Sequence, residues 1–362
     1  MNISLCMIVK NEAIHIGRFL QCIEKCKSIK EIHIVDTGST DNTLQIIGDW
    51  SIRNINKRAP AFLYKFEWVD DFSKARNFAF SKGTCEWLMW LDADDMLTDE
   101  TIEQIDSFVV PDNIKILMLK YQMSSDFDYH RERIVRRDVG LQWVEPVHEC
   151  LAYGHILSCD MLTVNDISII HSPIEKPDKG DRNLKILESQ KELSPRSMYY
   201  YARELAAVER FAEAIEMLKK FLSTGKGWVE DNIGACYMMA RCYHELDDKN
   251  AQIQAVLQSF GFDIPRPEGA CIIGDVFFKN EEYCIASRWY KLATYIEYQV
   301  NWGFTNHAFQ GSYAYLQLCV CHDRMGDQQT SCEYNEKAAA LEPQNESVLF
   351  NQQYFKDIGL VK

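Results

Sequence analysis

The chain has 362 residues, which is enough for two or three domains with real hydrophobic cores. Hydrophobic residues make up 47% of it and charged residues 25%, proportions that are typical of a globular protein and exclude extensive disorder. The formal net charge of -14 does not supply the basic face that a nucleic-acid binder needs, so we expect no nucleic-acid partner.

The N-terminus and the cysteines indicate a reduced, cytoplasmic protein. The opening residues MNISLCMIVKNEA resemble a short β-strand and not a secretory signal, and no window approaches an apolar span of about 20 residues. The 13 cysteines are odd in number and scattered, without the recurring CxxC pairs that zinc sites require. We therefore expect no membrane span, and cysteines that behave mostly as small core residues.

Short apolar runs and amphipathic stretches alternate along the first hundred residues. The runs ISLCMIV, EIHIV, AFLYKFEW and EWLMWLD predict four strands, and a helical pattern from Ile14 to Cys26 separates the first two. Strands separated by about 10–15 residues of helical pattern imply βαβ units and a mostly parallel sheet. From Pro111 to His171 the pattern is richer in strands, at ILMLKYQM, RIVRR and SIIH, and the polar run EKPDKGDRN is typical of a connection.

After about Ser194 the pattern changes to pairs of helices. A tetratricopeptide repeat has small residues where its two helices touch, an aromatic residue near the turn and a proline after the second helix. These features recur at Gly274, Phe277, Tyr283, Ala286 and Ala293, at Ala202, Leu205, Phe211 and Ala214, at Pro343, and less clearly around Ala240 and Tyr243. Three such matches are hard to obtain from a plain helical bundle, so we predict an all-α domain of tetratricopeptide-like repeats.

Acidic residues close two of the predicted strands. Asp36 follows EIHIV, and Asp92 and Asp94 follow the fourth strand in LMWLDADD. In a parallel sheet, ligands bind beyond the carboxyl ends of the strands. Because residues two apart in extended backbone point to the same side, Asp92 and Asp94 are expected to present two carboxylates to a divalent cation on a diphosphate. The alternative is an acidic turn before a helix that begins near Thr98.

Four motifs, in order, resemble those of the family 2 glycosyltransferases, which have the GT-A fold. They are a strand ending in VKNE, then IVDTGSTDNT, DDFSKARNFAF and LDADD, and they cover roughly the first 100 residues. The resemblance implies an α/β GT-A nucleotide-sugar-binding domain over residues 1–175. A linker over 176–196 and the helical repeat domain over 197–362 follow.

The resemblance also implies roles for residues within these motifs. Nucleotide-sugar binding is implied for Val9, Asn11, Glu12, Asp36, Arg76, Asp92 and Ala93. Asp36 would receive the base and Arg76 would bind the nucleotide or its phosphates, while Asp94 would hold the metal, Mg²⁺ or Mn²⁺. Ser39 and Asp41 fit better as the N-terminus of a helix, because SxxT and Asp-Asn sequences cap helices.

A further element, LQWVEPVHECL, resembles the tryptophan and VHE element found in many of these enzymes. His148 is expected to complete the metal site, since an imidazole can bind Mn²⁺ beside carboxylates. Glu149 matches the family element and ranks first as general base, with Glu145 and Asp95 as alternatives. Trp143 is expected to line the sugar or acceptor pocket, with packing in a core strand as the alternative.

A family 2 domain followed by such repeats resembles a narrower group, the transferases that glycosylate bacteriocin precursor peptides on cysteine or serine in glycocin biosynthesis. Arg182 and Asn183 correspond to the linker of that group. The resemblance implies an inverting, metal-dependent transfer from a UDP-sugar to a peptide acceptor, and a homodimer formed through the repeats. A cell-envelope glycan or lipid-linked acceptor is one alternative, and a non-catalytic scaffold with a vestigial nucleotide site is another. The sequence leaves open which sugar is moved and whether cysteine or serine accepts it.

Overall fold

The chain divides into two compact units, Met1–Glu192 and Leu193–Lys362. The structure, a computed structural model, describes residues 1–54, 59–124, 127–152, 154, 156–174, 181–297 and 305–361. Residues 176–180 of the predicted linker lie outside the described residues, and a short helix occupies Arg182–Glu188 within its later part. No helix in these described ranges is long and apolar enough to cross a membrane.

The N-terminal unit is built from ten strands and five helices among its described residues. The strands are β1 (Ile3–Val9), β2 (Ile29–Asp36), β3 (Ala61–Lys65), β4 (Trp87–Trp90), β5 (Asp95–Met96), β6 (Ile116–Gln122), β7 (Phe127–Arg136), β8 (Gln142–Val144), β9 (Cys150–Ala152) and β10 (Met161–His171). The helices are α1 (Ile16–Ile23), α2 (Thr43–Arg53), α3 (Phe72–Phe80), α4 (Asp99–Ser107) and α5 (Arg182–Glu188).

Eight of these strands form one sheet in the order β3-β2-β1-β4-β7-β6-β10-β5. The strands β3, β2, β1 and β4 are parallel to one another, as the βαβ pattern predicts. The other half is mixed, because β7 runs antiparallel to both β4 and β6 while β10 is parallel to β6. The strands β8 and β9 form a separate antiparallel hairpin.

Helices cover both faces of the parallel half of the sheet, which explains the nearly continuous apolar sequence of β1. Ile3, Leu5 and Met7 belong to a core cluster that includes the buried face of α1. Cys6 points to the opposite face, into a cluster that includes Ala79 from α3. The carboxyl ends of β1, β2 and β4 consequently meet at one edge of the sheet, where the polar motifs of the sequence lie.

The C-terminal unit consists of helical hairpins, and the predicted repeat architecture is confirmed. Its described helices are α6 (Pro195–Ala207), α7 (Phe211–Ser223), α8 (Val229–Glu245), α9 (Lys249–Ser259), α10 (Pro267–Lys279), α11 (Tyr283–Tyr295), α12 (Ser312–Arg324), α13 (Gln328–Leu341) and α14 (Glu346–Asp357), with a two-residue strand, β11, at Thr305–Asn306. Helices α6 to α13 pack as four successive pairs, each joined by a short turn.

Small residues occur where the paired helices touch. A Cβ atom added to Gly274 would lie 2.7 Å from the ring of Tyr290, so only glycine permits this approach. Ala286 and Ala293 are fully buried at the same contact. The segment around Ala240, where the sequence pattern is weakest, also forms a regular pair in α8 and α9.

Candidate active site

The loop after β1 is fastened to the loop after β2. The backbone N–H of Asn11 donates to Ser39 Oγ at 3.0 Å, and Asn11 Oδ1 accepts from the Thr40 N–H at 2.8 Å. Asn11 adopts a positive φ of 55°, a conformation that needs such support in a residue other than glycine. These bonds fix the VKNE loop at the edge of the sheet.

Asp41 makes the second contact between these loops. Its Oδ2 accepts from the Ala13 N–H at 3.1 Å, and its Oδ1 accepts from the Thr43 N–H at 2.9 Å, where α2 begins. The residue directly before α2 is Asn42, whose side chain makes no capping bond. Ser39 and Asp41 therefore both support the neighbouring loop, and Asp41 also bonds to the start of the helix.

Asp36 lies at the end of β2 and is bonded to the turn that follows it. Its Oδ1 accepts from the Ser39 N–H at 3.0 Å, and its Oδ2 accepts from the Gly38 N–H at 3.2 Å. Val9, the last residue of β1, and Ala93, the middle residue of the LDADD motif, are buried in the core cluster. The structure thus brings the first, second and fourth motifs to one edge, and the nucleotide-binding roles of these residues stay predictions.

Arg76 on α3 is buried and is the centre of an ionic network. Its Nη2 donates to Asp92 Oδ1 at 2.8 Å, and its Nε donates to Glu149 Oε1 at 2.5 Å. The guanidinium stacks over the rings of Trp90, at 4.7 Å, and Trp143, at 5.1 Å. Residues predicted from the SKARN, LDADD and VHE motifs therefore meet at a single cation.

The positive charges around this network hold the Asp92 carboxylate in its ionised form. Burial alone would raise the pKa of Asp92, but the positive charges of Arg76, Arg133 and Arg131 outweigh burial and lower that pKa to about 2. Burial alone would likewise lower the pKa of Arg76, but Asp92 and Glu149 raise it above its ordinary value. The Arg76–Asp92 pair is therefore charged at neutral pH.

Trp143 packs behind Arg76 and does not face solvent. Its side chain is 2% exposed, and its ring meets those of Trp90 and Phe80 edge-on at 5.0 and 5.5 Å. The side-chain amide of Asn77 on α3 bonds to both its backbone N–H and its carbonyl at 2.8 Å. The expectation that Trp143 lines an open pocket is corrected in favour of packing in a core strand.

The loop between β8 and β9 carries three of the predicted residues. Helix α3 holds this loop, because the Phe72 N–H donates to the Pro146 carbonyl at 2.9 Å and the arginine of α3 binds Glu149. Glu145 and His148 have positive φ angles of 75° and 53°, and such strained positions are typical of functional loops. Glu145 and His148 are close to Glu149 along the chain, and their roles remain predictions.

The residues of LDADD form a turn and do not continue the strand. Strand β4 ends at Trp90, and the Asp95 N–H donates to the Asp92 carbonyl at 3.1 Å. The expectation that Asp92 and Asp94 face the same side because of strand alternation is therefore wrong. Asp92 binds the arginine of α3, whereas Asp94 Oδ1 lies 4.0 Å from His171 Nδ1.

Asp95 is enclosed by hydrogen-bond donors. Its Oδ1 accepts from the Tyr121 hydroxyl at 2.8 Å, and its Oδ2 accepts from Arg133 Nη1 at 3.1 Å and from the Asp92 N–H at 2.9 Å. Its side chain has no exposed surface. An acceptor cannot reach this carboxylate, which corrects the expectation that Asp95 is available as a general base.

A candidate metal site lies at the end of β10. Asp94, Asp95 and His171 each offer a ligand atom, and these atoms lie within 4.8 Å of one another. Asp94 and His171 are the partly exposed members of this group, and a carboxylate beside an imidazole can bind Mn²⁺. Among the described residues, this group includes the predicted ligand Asp94 but not His148, whose metal-binding role stays a prediction.

Sequence reasoning did not assign the neighbours that support this site. Tyr121 on β6 contacts both Asp95 and His171, the latter at 2.9 Å from hydroxyl to Nδ1. Arg133 on β7 is fully buried and stacks on Trp90 at 3.9 Å. Neither residue belongs to one of the sequence motifs. His171, at the end of the SIIH strand, is the residue in the sequence that could have indicated this site.

Comparison with known proteins relates parts of this chain to one family and to several relatives. Residues 4–145 match the model of the family described as glycosyl transferase family 2. A TPR repeat-containing protein of Synechococcus elongatus is 32% identical over 150 residues, which cover 41% of this chain and 34% of that protein. The SPbeta prophage-derived glycosyltransferase SunS of Bacillus subtilis is 27% identical over 236 residues, which cover 61% of this chain and 53% of that protein. The chain thus spans about a third and about half of the lengths of these relatives.

Among solved structures, S. aureus TarS 1-349 in complex with UDP-GlcNAc covers 96% of this chain and 93% of its own, with 15% identity. Its TM-score of 0.40 is too low to support an argument about this site.

Proposed function

We propose that this chain, whose N-terminal unit carries a family 2 glycosyltransferase domain, moves a sugar from a UDP-sugar to a cysteine or serine of a peptide, with inversion. The observation that carries the proposal is the convergence of Arg76, Asp92 and Glu149 beside the Asp94–His171 pair at the ligand-binding edge of the sheet. The relative SunS bears the name of a glycosyltransferase, which supports the reaction class.

The donor side of the site is formed by the first three motifs. In this proposal, Asp36 receives the base, and Asn11 and Glu12 border the nucleotide from the loop after β1. Arg76 contacts the nucleotide or its phosphates, because a planar guanidinium with several donors suits phosphate oxygens. Asp92 keeps this guanidinium oriented and contacts the ribose or the metal.

Asp94 and His171 are the residues that we propose for Mg²⁺ or Mn²⁺, with His148 as the alternative imidazole. A divalent cation held there would neutralise the negative charge that develops on the departing nucleoside diphosphate. Asp95 acts from behind these ligands, because its oxygens are already occupied by Tyr121, Arg133 and the backbone.

The reaction is a direct displacement at the anomeric carbon. A carboxylate accepts the proton of the acceptor thiol or hydroxyl, and the sulfur or oxygen attacks opposite the diphosphate, so a single step inverts the configuration. Glu149 and Glu145 are the two proposed bases. Arg76 Nε donates to Glu149 Oε1, which ties this carboxylate to the arginine and gives Glu145 equal standing as the base.

The peptide acceptor is supported by the C-terminal unit. Stacked helix pairs present extended surfaces that suit peptides and partner proteins. The sequence resemblance to transferases of bacteriocin precursors points to the same acceptor class. A homodimer through the repeats is part of the same proposal.

Mass spectrometry of donor turnover tests this function. Purified protein is incubated with Mg²⁺ or Mn²⁺ and a panel of UDP-sugars, with and without a cysteine- and serine-containing peptide encoded by a neighbouring reading frame. We expect a mass gain of one hexose or N-acetylhexosamine on the peptide. Asp94→Ala should abolish it with the fold intact, whereas Asp112→Ala, at an exposed position, should not change it.

The other outcomes separate the alternatives. Hydrolysis of the UDP-sugar without peptide modification would move the acceptor to a cell-envelope glycan or a lipid-linked sugar. Absence of both hydrolysis and uridine-nucleotide binding would refute the enzyme and leave the repeat scaffold.

A further inference from the structure

His15 lies fully buried at the start of α1, between two parts of the candidate active site. Its Nδ1 lies 2.9 Å from Glu12 Oε2, in the loop after β1. Its Nε2 lies 2.9 Å from the backbone nitrogen of Ile174, in the segment after β10. Both ring nitrogens are thus engaged, each with a different part of the chain.

These two contacts fix the proton on the ring. The Ile174 N–H can only donate, so His15 Nε2 must accept with its lone pair. In the neutral ring the proton is consequently on Nδ1, which donates to the Glu12 carboxylate. No other neutral form satisfies both partners, and an apolar side chain at position 15 would remove these two bonds.

The segment after β10 is tied to the metal side of the site. It follows His171 directly, and the Ser172 N–H donates to the Asp94 carbonyl at 2.9 Å. Arg18, on the first turn of α1, donates to the Ser172 carbonyl at 2.6 Å and to Ser172 Oγ at 3.2 Å. The start of α1 therefore holds the backbone that carries the proposed metal ligands.

Glu12 is tied to the donor side of the site. Its backbone N–H donates to Thr43 Oγ1 at 2.7 Å, at the start of α2. The adjacent Asn11 is bonded to the loop after β2. A continuous series of hydrogen bonds thus runs from the proposed nucleotide-binding loops through His15 to Ile174 and the metal-binding segment.

We propose that His15 is a positioning residue that couples the nucleotide-binding loop after β1 to the metal-binding segment after β10. Through this bond, ordering of either segment favours the arrangement of the other, so that a uridine nucleotide and a divalent cation strengthen each other's binding. The identity of the two ligands rests on the proposed function, whereas the mechanical link between the segments does not.

Hydrogen exchange on the ligand-free protein tests the link itself. His15→Leu should speed amide exchange about tenfold in both residues 11–13 and residues 172–174, because both lose their common anchor. His15→Gln should behave like wild type, since its amide can accept from Ile174 and donate to Glu12. The matched control is His33→Leu, because His33 is also buried but packs on β2 between Phe62 and Tyr64.

His33→Leu should lower stability without a selective change in the two segments. Unchanged exchange in either segment of His15→Leu would overturn the inference. Equal acceleration in the His33 control would overturn it as well, because the effect would then be general destabilisation.

Isothermal titration of UDP with and without Mn²⁺ tests the consequence for binding. The factor by which Mn²⁺ tightens UDP binding should fall about tenfold in His15→Leu, within the usual range of coupling between sites. It should stay within twofold of wild type in His15→Gln and His33→Leu. Equal weakening of UDP binding with and without Mn²⁺ would show that His15 only supports Glu12, and would overturn the coupling.

The two proposals fail in distinguishable ways. If the wild type shows the coupling but transfers no sugar to any acceptor, the proposed function fails and the inference stands. If sugar transfer is found but His15→Leu changes neither exchange nor coupling, the inference fails and the proposed function stands.

Discussion

Arg76 determines what the carboxylates around it can do. It binds Glu149 through Nε and Asp92 through Nη2, and its own side chain is only 8% exposed. Because the Glu149 carboxylate is bonded to this planar guanidinium, we expect Glu149 to orient Arg76 and not to transfer the proton. Glu145 lies in the same loop at a strained backbone position, so the two glutamates are expected to have different roles.

Replacement of each glutamate by glutamine separates these roles. Loss of the general base should lower the rate of sugar transfer by about 10²–10⁴-fold while UDP binding changes little. Loss of the orienting carboxylate should weaken UDP binding, because Arg76 loses a partner. Single-turnover transfer and UDP titration on Glu145→Gln and Glu149→Gln would assign the base, and near-normal transfer in both variants would contradict a base in this loop.

Glu31 on β2 gives the N-terminal unit a defined response to acid. Its carboxylate accepts from Ser4 Oγ at 2.5 Å and from the Thr84 N–H at 2.6 Å. Burial alone would raise its pKa, but these hydrogen bonds outweigh burial and lower the pKa to about 2. Because the folded pKa lies below the unfolded value, the stabilisation is complete above about pH 5 and is lost as the pH falls towards 2.

Glu31→Gln should therefore lower the free energy of unfolding by about 2 kcal/mol at pH 7 and by clearly less at pH 3. Urea denaturation at the two pH values measures this difference. Glu103→Gln, at an exposed position on α4, is the control and should change little at either pH. An equal loss at both pH values would show that Glu31 contributes through packing and not through its charge.

At the scale of elements, the sequence pattern predicted the strands and helices whose burial depends on nearby residues. The strand β1 follows the expected pattern because it is buried on both faces and is apolar along its length, and the helix pair α10–α11 follows it because burial of one face imposes a period of 3.6 residues. The insertion of β7 between β4 and β6 depends instead on pairing such as that of Ile134 with Met89, far apart in the chain. That insertion brings Arg133 to Asp95, and no local pattern could indicate it.

The same limit explains the error at LDADD. The acidic residues were visible, and their position after an apolar strand was correct. Their orientation depends on where β4 ends, and Trp90 is its last residue. The bond from the Asp95 N–H to the Asp92 carbonyl then makes a turn, so strand alternation no longer applies to Asp92 and Asp94.

The turns within the helix pairs repeat one backbone conformation. The residue two positions before each second helix has a positive φ, at Glu209 (62°), Asp247 (55°), Glu281 (62°) and Gly326 (83°). The following N–H closes each turn, for example from Glu282 to the Phe277 carbonyl and from Asp327 to the His322 carbonyl. Only the last of these four turns has glycine, which adopts a positive φ without steric cost.

Exchange of residues at this position should therefore change stability in opposite directions. Glu281→Gly should stabilise the C-terminal unit by about 0.5–1 kcal/mol. Glycine relieves the strain of the left-handed conformation, and the larger conformational entropy of the unfolded chain offsets part of this gain. Gly326→Ala should destabilise it by about 1 kcal/mol. Thermal unfolding of both variants measures the signs, and stabilisation by Gly326→Ala would contradict a shared turn.

At the scale of the whole molecule, each unit has its own hydrophobic core. The clusters around β1 and α3 contain residues of the N-terminal unit, and those around α8 and α11 contain residues of the C-terminal unit. The candidate donor and metal residues all lie in the first unit. Perturbation of the second core should consequently affect acceptor use more than donor chemistry.

The buried ion pair of Arg266 and Glu230 provides that perturbation. Two bonds of 2.6 and 2.7 Å join them, and both side chains are at most 5% exposed. Arg266→Met would leave a buried carboxylate without its cation, which costs about 3–5 kcal/mol and loosens the helices around it. Arg288→Met, at an exposed position on α11, is the matched control.

We expect Arg266→Met to retain UDP binding and metal-dependent UDP-sugar hydrolysis within about twofold, and to lose at least tenfold in transfer to the peptide. The physical reason is that the donor site needs only the sheet edge of the first unit, whereas a repeat surface recognises a peptide through the spacing of intact helix pairs. The test is the ratio of the peptide-transfer rate to the UDP-sugar hydrolysis rate, both measured on the same sample below its unfolding temperature. A parallel loss of both activities would mean that the second unit supports the catalytic unit itself and does not serve the acceptor alone.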